Sequence, residues 1–223
     1  MSSLRGLPRA LRLAAAAALC VALAGGAAGC ASDAAPTTSS GSPPAAAAPA
    51  APPAVRVEGT LAVPQGQQVP AAVTYDEQIV PTGARVQLAI DQSAADRTTV
   101  SLAVDGLIPN RSYAVHIHAR QCGLSGADAG PHYQHTIDPA AGPQNPSSDP
   151  AFANPQNEVW LDVSTDAAGR GSSQAPVPFG FTERPPGSVV IHEAARTATE
   201  PGKAGSAGNR VACFTIPLAA TVS

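Results

Sequence analysis

The stretch Arg85-Val86-Gln87-Leu88-Ala89-Ile90 alternates polar and apolar residues over its whole length. A β-strand sends successive side chains to opposite faces, so this pattern marks a strand buried on one side. Helix-forming patterns are scarce elsewhere, whereas Val, Thr, Gly and Pro are plentiful, which favours short strands joined by turns. Val55–Val63, Val69–Tyr75, Ala84–Ile90 and Thr98–Val104 are strand candidates, and Gly106–Asn110 is a turn. Ser112–His118, Val159–Ser164, Ser172–Val177, Gly187–His192 and Val211–Pro217 follow, with a hairpin-type turn at Asp166–Gly169. The fold class is all-β, and residues 55–223 are the right length for one sandwich or barrel.

On Ser112–His118, Tyr113, Val115 and Ile117 share one face and Ala114, His116 and His118 the other. The apolar face belongs to the core. The two histidines point away from it, about 6.5 Å apart at the backbone for a rise of about 3.3 Å per residue. Imidazole is a borderline-soft ligand for copper and zinc, so an HxH strand is a candidate metal site. His192 ends the alternating SVVIH and likewise leaves the core face. Between these strands, residues 119–156 show little periodicity, and a loop of that length within a compact domain is usually functional or disordered.

The first 30 residues form an export signal: Arg5, Arg9 and Arg12, then apolar Leu13–Leu23, then small residues before Cys30. A cysteine after small residues resembles a bacterial lipoprotein signal, in which Cys30 would be acylated; a plain secretory signal is the alternative. Residues 31–54, almost all Ala, Pro, Ser and Thr, read as a disordered tether. The domain is therefore expected outside the cytoplasm, either lipid-anchored to the outer face of the cell membrane or secreted. Setting aside the three signal arginines leaves 10 basic residues against 16 acidic ones, a net charge of −6. Nucleic acid is excluded as a partner, because binding it needs a basic footprint. Cys122 and Cys213 are left as an even pair in an oxidising compartment, where a disulfide is the default and two thiolate ligands the alternative.

Four stretches in order, His116-Ile117-His118, Gly130-Pro131-His132-Tyr133, Val189-Val190-Ile191-His192 and Gly208-Asn209-Arg210-Val211-Ala212-Cys213, resemble the copper/zinc superoxide dismutase family. The match covers most of residues 55–217, and the short HARQC spacing after His118 looks like the bacterial exported branch. The resemblance implies a Greek-key barrel or sandwich of about eight antiparallel strands with long metal-binding loops. It implies that His116, His118, His132 and His192 bind copper, with His132 the ring that bridges to zinc and passes a proton. It further implies that Cys122 and Cys213 are disulfide-bonded and that Arg210 guides the superoxide anion. A homodimer is left open.

The zinc half departs from the family pattern. Only His135 follows His132 before His192, and Asn154–Glu158 stands where a Gly-Asp zinc ligand would fall. Tetrahedral zinc needs four ligands, and no spacing selects among Asp138, Asp149 and Glu158 to join His132 and His135. Two readings follow: a copper-only centre in which a carboxylate such as Glu158 orients His132, or a remodelled zinc site that includes His135. The remaining charges and aromatics have simpler expectations. Glu158 and Asp162 read as solvent-facing strand charges, and Trp160, Phe179 and Phe181 as core or edge packing. The loop carrying Glu193, Glu200 and Lys203 looks like a shortened guiding loop. The function expected is a copper superoxide dismutase; the alternatives are a copper-binding or delivery protein, or an inactive surface module.

Overall fold

The computed structural model describes residues 54–142, 145–181 and 184–217. The export signal and nearly all of the tether lie outside them. Ten strands and one short 3₁₀ turn are present among the described residues. They are β1 (Ala54–Thr60), β2 (Ala72–Thr74), β3 (Arg85–Ala94), β4 (Arg97–Asp105), β5 (Ser112–Tyr113), β6 (Val115–His118), β7 (Val163–Ser164), β8 (Gly171–Val177), β9 (Ser188–His192) and β10 (Arg210–Thr215).

Two four-stranded sheets, ordered β1-β3-β4-β8 and β2-β10-β9-β6, enclose the core, and β5 and β7 form a small third sheet. Every ladder between named strands is antiparallel. Neighbours in each sheet are mostly not neighbours in sequence. The chain crosses repeatedly between the two layers, as in a Greek key.

The alternation predicted for Ala84–Ile90 is observed on β3: Val86, Leu88 and Ile90 are buried, whereas Arg85 and Gln87 are exposed. Their partners on β4, Val104, Leu102 and Val100, face the same way. Val115 and Ile117 of β6, Val189 and Ile191 of β9, and Phe214 of β10 fill the opposing side. One apolar cluster thus spans both sheets, and at about 25 cal/mol per Å² of apolar area its burial is the main force holding the layers together.

Several expected strands are shorter than their patterns: Val55–Val63 ends at Thr60, and Val69–Tyr75 keeps only Ala72–Thr74. Ser112–His118 divides at Ala114 into β5, which pairs with β7, and β6, which pairs with β9. The break arises because Ala114 bonds elsewhere: its N–H donates to Ala194 O (2.7 Å) and its carbonyl accepts from His192 N–H (2.8 Å). Val159–Ser164 keeps ladder pairing only at β7. Its first half is extended and joins β6 by a single bridge between Trp160 and His116.

β6 is buried on both faces. Its apolar side enters the core, and its histidine side is covered by the loops between β6 and β7 and between β9 and β10. The second of these is an ordered hairpin, with backbone bonds Glu193 to Asn209, Ala194 to Ala207 and Ala198 to Ser206. Cys122 and Cys213 form a disulfide that pins the first loop to β10. Val73, Ala129 and Val190 pack beneath it as a separate apolar cluster.

Candidate metal centre

His116 and His118 come from β6, His192 from the end of β9, and His132 from the covering loop. His132 is brought in by a bridge to His118 and by Tyr133 N–H donating to Ile117 O (2.9 Å). One ligand nitrogen from each of the four rings lies within 4.8 Å of every other. Among the described residues this is the one group of three or more His, Cys, Asp or Glu side chains arranged to hold a metal ion.

The hydrogen bonds decide which nitrogen of each ring is presented. A neutral imidazole carries one N–H and one bare nitrogen. His118 Nδ1 lies 3.0 Å from Gly130 O, and His192 Nδ1 lies 3.4 Å from Gly208 O. A carbonyl can only accept, so both protons sit on Nδ1 and both Nε2 atoms are bare. Those two bare nitrogens are 3.2 Å apart. His132 Nδ1 donates to Glu158 Oε2 at 2.9 Å, which leaves its Nε2 bare as well. His116 Nε2 contacts Thr197 Oγ1 (2.6 Å), while its Nδ1 is buried and has no hydrogen-bond partner.

Each ring therefore has one nitrogen held by the protein and one turned to a common centre. Facing lone pairs at 3.2 Å repel, and an orphaned buried nitrogen costs about 1–3 kcal/mol. A cation at the centre removes both penalties, so the residues fit a metal ion. The donor set is all imidazole nitrogen, which suits copper or zinc.

Electrostatics keep the rings ready. Burial, followed by the repulsion that a proton on His132 would add, pushes His116 and His118 well below the ordinary histidine value and lowers His192 to about 3. These three rings are neutral at physiological pH, as a metal ligand must be.

Around them lies a shell that sequence reading only partly found. Glu158, expected either as a solvent-facing charge or as the carboxylate that orients His132, takes the second place and is 1% exposed. Its Oε2 accepts from His132 Nδ1 and from Trp160 Nε1 (2.8 Å), and its Oε1 from Gln134 Nε2 (2.9 Å). Asp162 is also drawn inward, accepting from Val115 N–H (3.2 Å) and from the N–H and hydroxyl of Thr197 (both 2.7 Å). The reason is local: residues 158, 160 and 162 share one face of an extended segment, and that face lies against the histidine side of β6. The E-x-W-x-D spacing held this signal. Gln134 and Thr197 had no such marker. Trp160, expected as packing, bonds Glu158 and meets the His116 ring edge-on at 5.9 Å. Phe179 and Phe181 are buried as expected.

His135 is not brought to the cluster. It is exposed, and its ring stacks flat on Phe179, with centroids 4.8 Å apart. The other zinc candidates are held elsewhere. The Asp138 carboxylate accepts from Ser147 Oγ (2.6 Å) and Ala140 N–H (2.9 Å), and that of Asp149 from Ala151 N–H (2.8 Å).

Arg210 sits opposite His192 in the β9–β10 ladder, where a register shift before Ala212 breaks the regular alternation. Bulges of this kind re-aim side chains beside functional sites. The guanidinium donates to Gly126 O at 2.8 Å and makes no ion pair among the described residues. A Cβ on Gly126 would lie 2.6 Å from Arg210 Cβ, so glycine is required for this approach.

No known protein family matches the chain as a pattern, and no curated protein matches it in sequence. Among solved structures, the chain is similar to the clock protein EA4, with 22% identity over 59% of this chain and 85% of that one and a TM-score of 0.42. It is also similar to a double mutant of a SOD-like protein from Bacillus subtilis, with 17% identity, 58% and 86% coverage and a TM-score of 0.41. Similarities this distant say nothing of the site, whose chemistry rests on its own residues.

Proposed function

We propose that this domain is a copper-only superoxide dismutase working at the cell envelope, with His116, His118, His132 and His192 as the copper ligands. The observation that carries the reading is the set of four bare imidazole nitrogens turned inward, each secured by a bond to the opposite nitrogen. No Met or Cys joins the set, which disfavours a site built to store or deliver Cu(I). Copper, when bound, supplies a one-electron couple able to oxidise one superoxide and reduce a second.

The protein's residues supply the rest. Arg210, without a carboxylate partner, offers a fixed positive charge that draws in and orients an anion despite the negative net charge. His132 is the least sealed ring, its side chain 16% exposed, so it is the ligand ring that solvent protons can reach. Glu158 holds the opposite nitrogen of that ring and takes the orienting role a zinc ion would otherwise have. The disulfide and the export signal fit an oxidising compartment, and acylation of Cys30 would tether the domain there. No helix among the described residues is long and apolar enough to cross a membrane.

The test is a metal count followed by superoxide decay in a stopped-flow instrument. One copper and no zinc per chain, with dismutation abolished by His192→Ala, is the expected result. One zinc per chain would overturn the copper-only assignment, and activity surviving in His192→Ala would overturn the ligand set.

A further inference from the structure

We propose that Thr197 and Asp162 are positioning residues that fix the tautomer of His116, and with it the nitrogen this ring presents. The proposal rests on the metal-centre reading above and adds a proton relay to it.

Thr197 Oγ1 lies 2.6 Å from His116 Nε2 and 2.7 Å from Asp162 Oδ1. A hydroxyl has one proton, and an ionised carboxylate can only accept. The Thr197 proton therefore goes to Asp162, and only hydroxyl lone pairs face His116. Nε2 must then carry the ring proton, which leaves Nδ1 bare inside the cluster. Two backbone donors confirm the polarity of Asp162, Val115 N–H into Oδ1 and Thr197 N–H into Oδ2. Thr197 is 5% exposed, so water does not compete for these bonds. Neither residue belongs to the ligand set. The other three rings are fixed by a carbonyl or a carboxylate directly, and His116 alone is fixed through an intermediate hydroxyl.

A hydroxyl can be reversed, and this makes a directional prediction. In Asp162→Asn, the amide oxygen keeps the 2.7 Å bond from Thr197 N–H by giving up the weaker 3.2 Å bond from Val115. The amide nitrogen then donates to Thr197 Oγ1, whose proton turns toward His116 Nε2. The ring is forced to carry its proton on Nδ1, the nitrogen that faces the cluster.

The test uses the whole protein in four forms: wild type, Thr197→Ser, Thr197→Val and Asp162→Asn. Long-range ¹H–¹⁵N spectra of the metal-free protein read the His116 tautomer directly. Competition titrations with Cu(II), followed by Trp160 emission, read affinity. Wild type and Thr197→Ser should both show Nε2–H. Thr197→Val should lose that enforcement and bind copper about 10–100-fold more weakly, and Asp162→Asn should show Nδ1–H. Nε2–H retained in both Thr197→Val and Asp162→Asn would overturn the relay. Wild type that fails to bind copper would sink the metal-centre reading instead, and the metal-free spectra would still decide the relay.

Discussion

Three buried neutral histidines make the metal-free domain sensitive to mild acid. His116, His118 and His192 all titrate below their ordinary value of 6.5 in the fold, because burial and the neighbouring His132 oppose a positive charge. In the unfolded chain they take up protons near 6.5. The unfolded state therefore binds more protons as pH falls, and stability falls with it, beginning near 6.5 and continuing for His192 to about 3. Each ring contributes a limiting slope of about 1.4 kcal/mol per pH unit. At pH 5 the loss is about 2 kcal/mol for His192, and His116 and His118 add to it in the same direction, against a whole stability of about 5–15 kcal/mol. Carboxylates held by hydrogen bonds, such as Asp105 and Asp128, titrate lower and leave this window to the histidines. Urea unfolding in the presence of a chelator, followed by Trp160 emission and far-ultraviolet dichroism at pH 7.5, 6.5, 5.5 and 5, measures the effect. His192→Gln should shrink the loss at pH 5 by about 2 kcal/mol. A stability that is flat between pH 7.5 and 5.5 would refute the reasoning, because the rings would then be taking up protons inside the fold.

Glu158→Gln replaces the acceptor that holds His132 and should weaken copper binding by about 10–100-fold, read by competition titration. His135→Ala should leave metal content unchanged, since that ring stacks on Phe179 away from the cluster; a lost metal equivalent on elemental analysis would return His135 to the ligand set. Replacing both Cys122 and Cys213 with Ser opens a bond spanning 91 residues and should cost about 2–4 kcal/mol in urea unfolding. Leu102→Ala, which empties part of the space between the sheets, should cost about 2–5 kcal/mol by the same assay.

Much of this architecture was legible because it follows from period-two burial. β3 and β4 repeat their apolar alternation faithfully, since one face meets the core and the other meets water. The four histidines were legible as short motifs on strands or beside glycine, where direction follows from backbone geometry. The surrounding shell was harder to read. Asp162 reads from the sequence as a surface charge because acids on extended segments usually face solvent, whereas Glu158 is legible as the carboxylate that orients His132. Here the opposite face of the sheet is roofed by loops, which a local pattern does not encode. His135 misled for the converse reason: its residue type matches its neighbours, but its position is decided by an aromatic partner more than forty residues away. Thr197 lies in a loop without periodicity, and only the folded hairpin brings its hydroxyl to His116.

The four rings belong to three separated parts of the chain, and the last of them arrives only when β9 docks between β6 and β10. No partial chain ending before His192 can hold the complete centre, so on the proposed reading all four ligands are available only once β9 is in place. An ion held there would be shared by β6, β9 and the covering loop and would act as a rivet through those elements. Its retention would then measure how seldom the elements part, and the rate of metal exchange would serve as a clock for the opening of the second sheet.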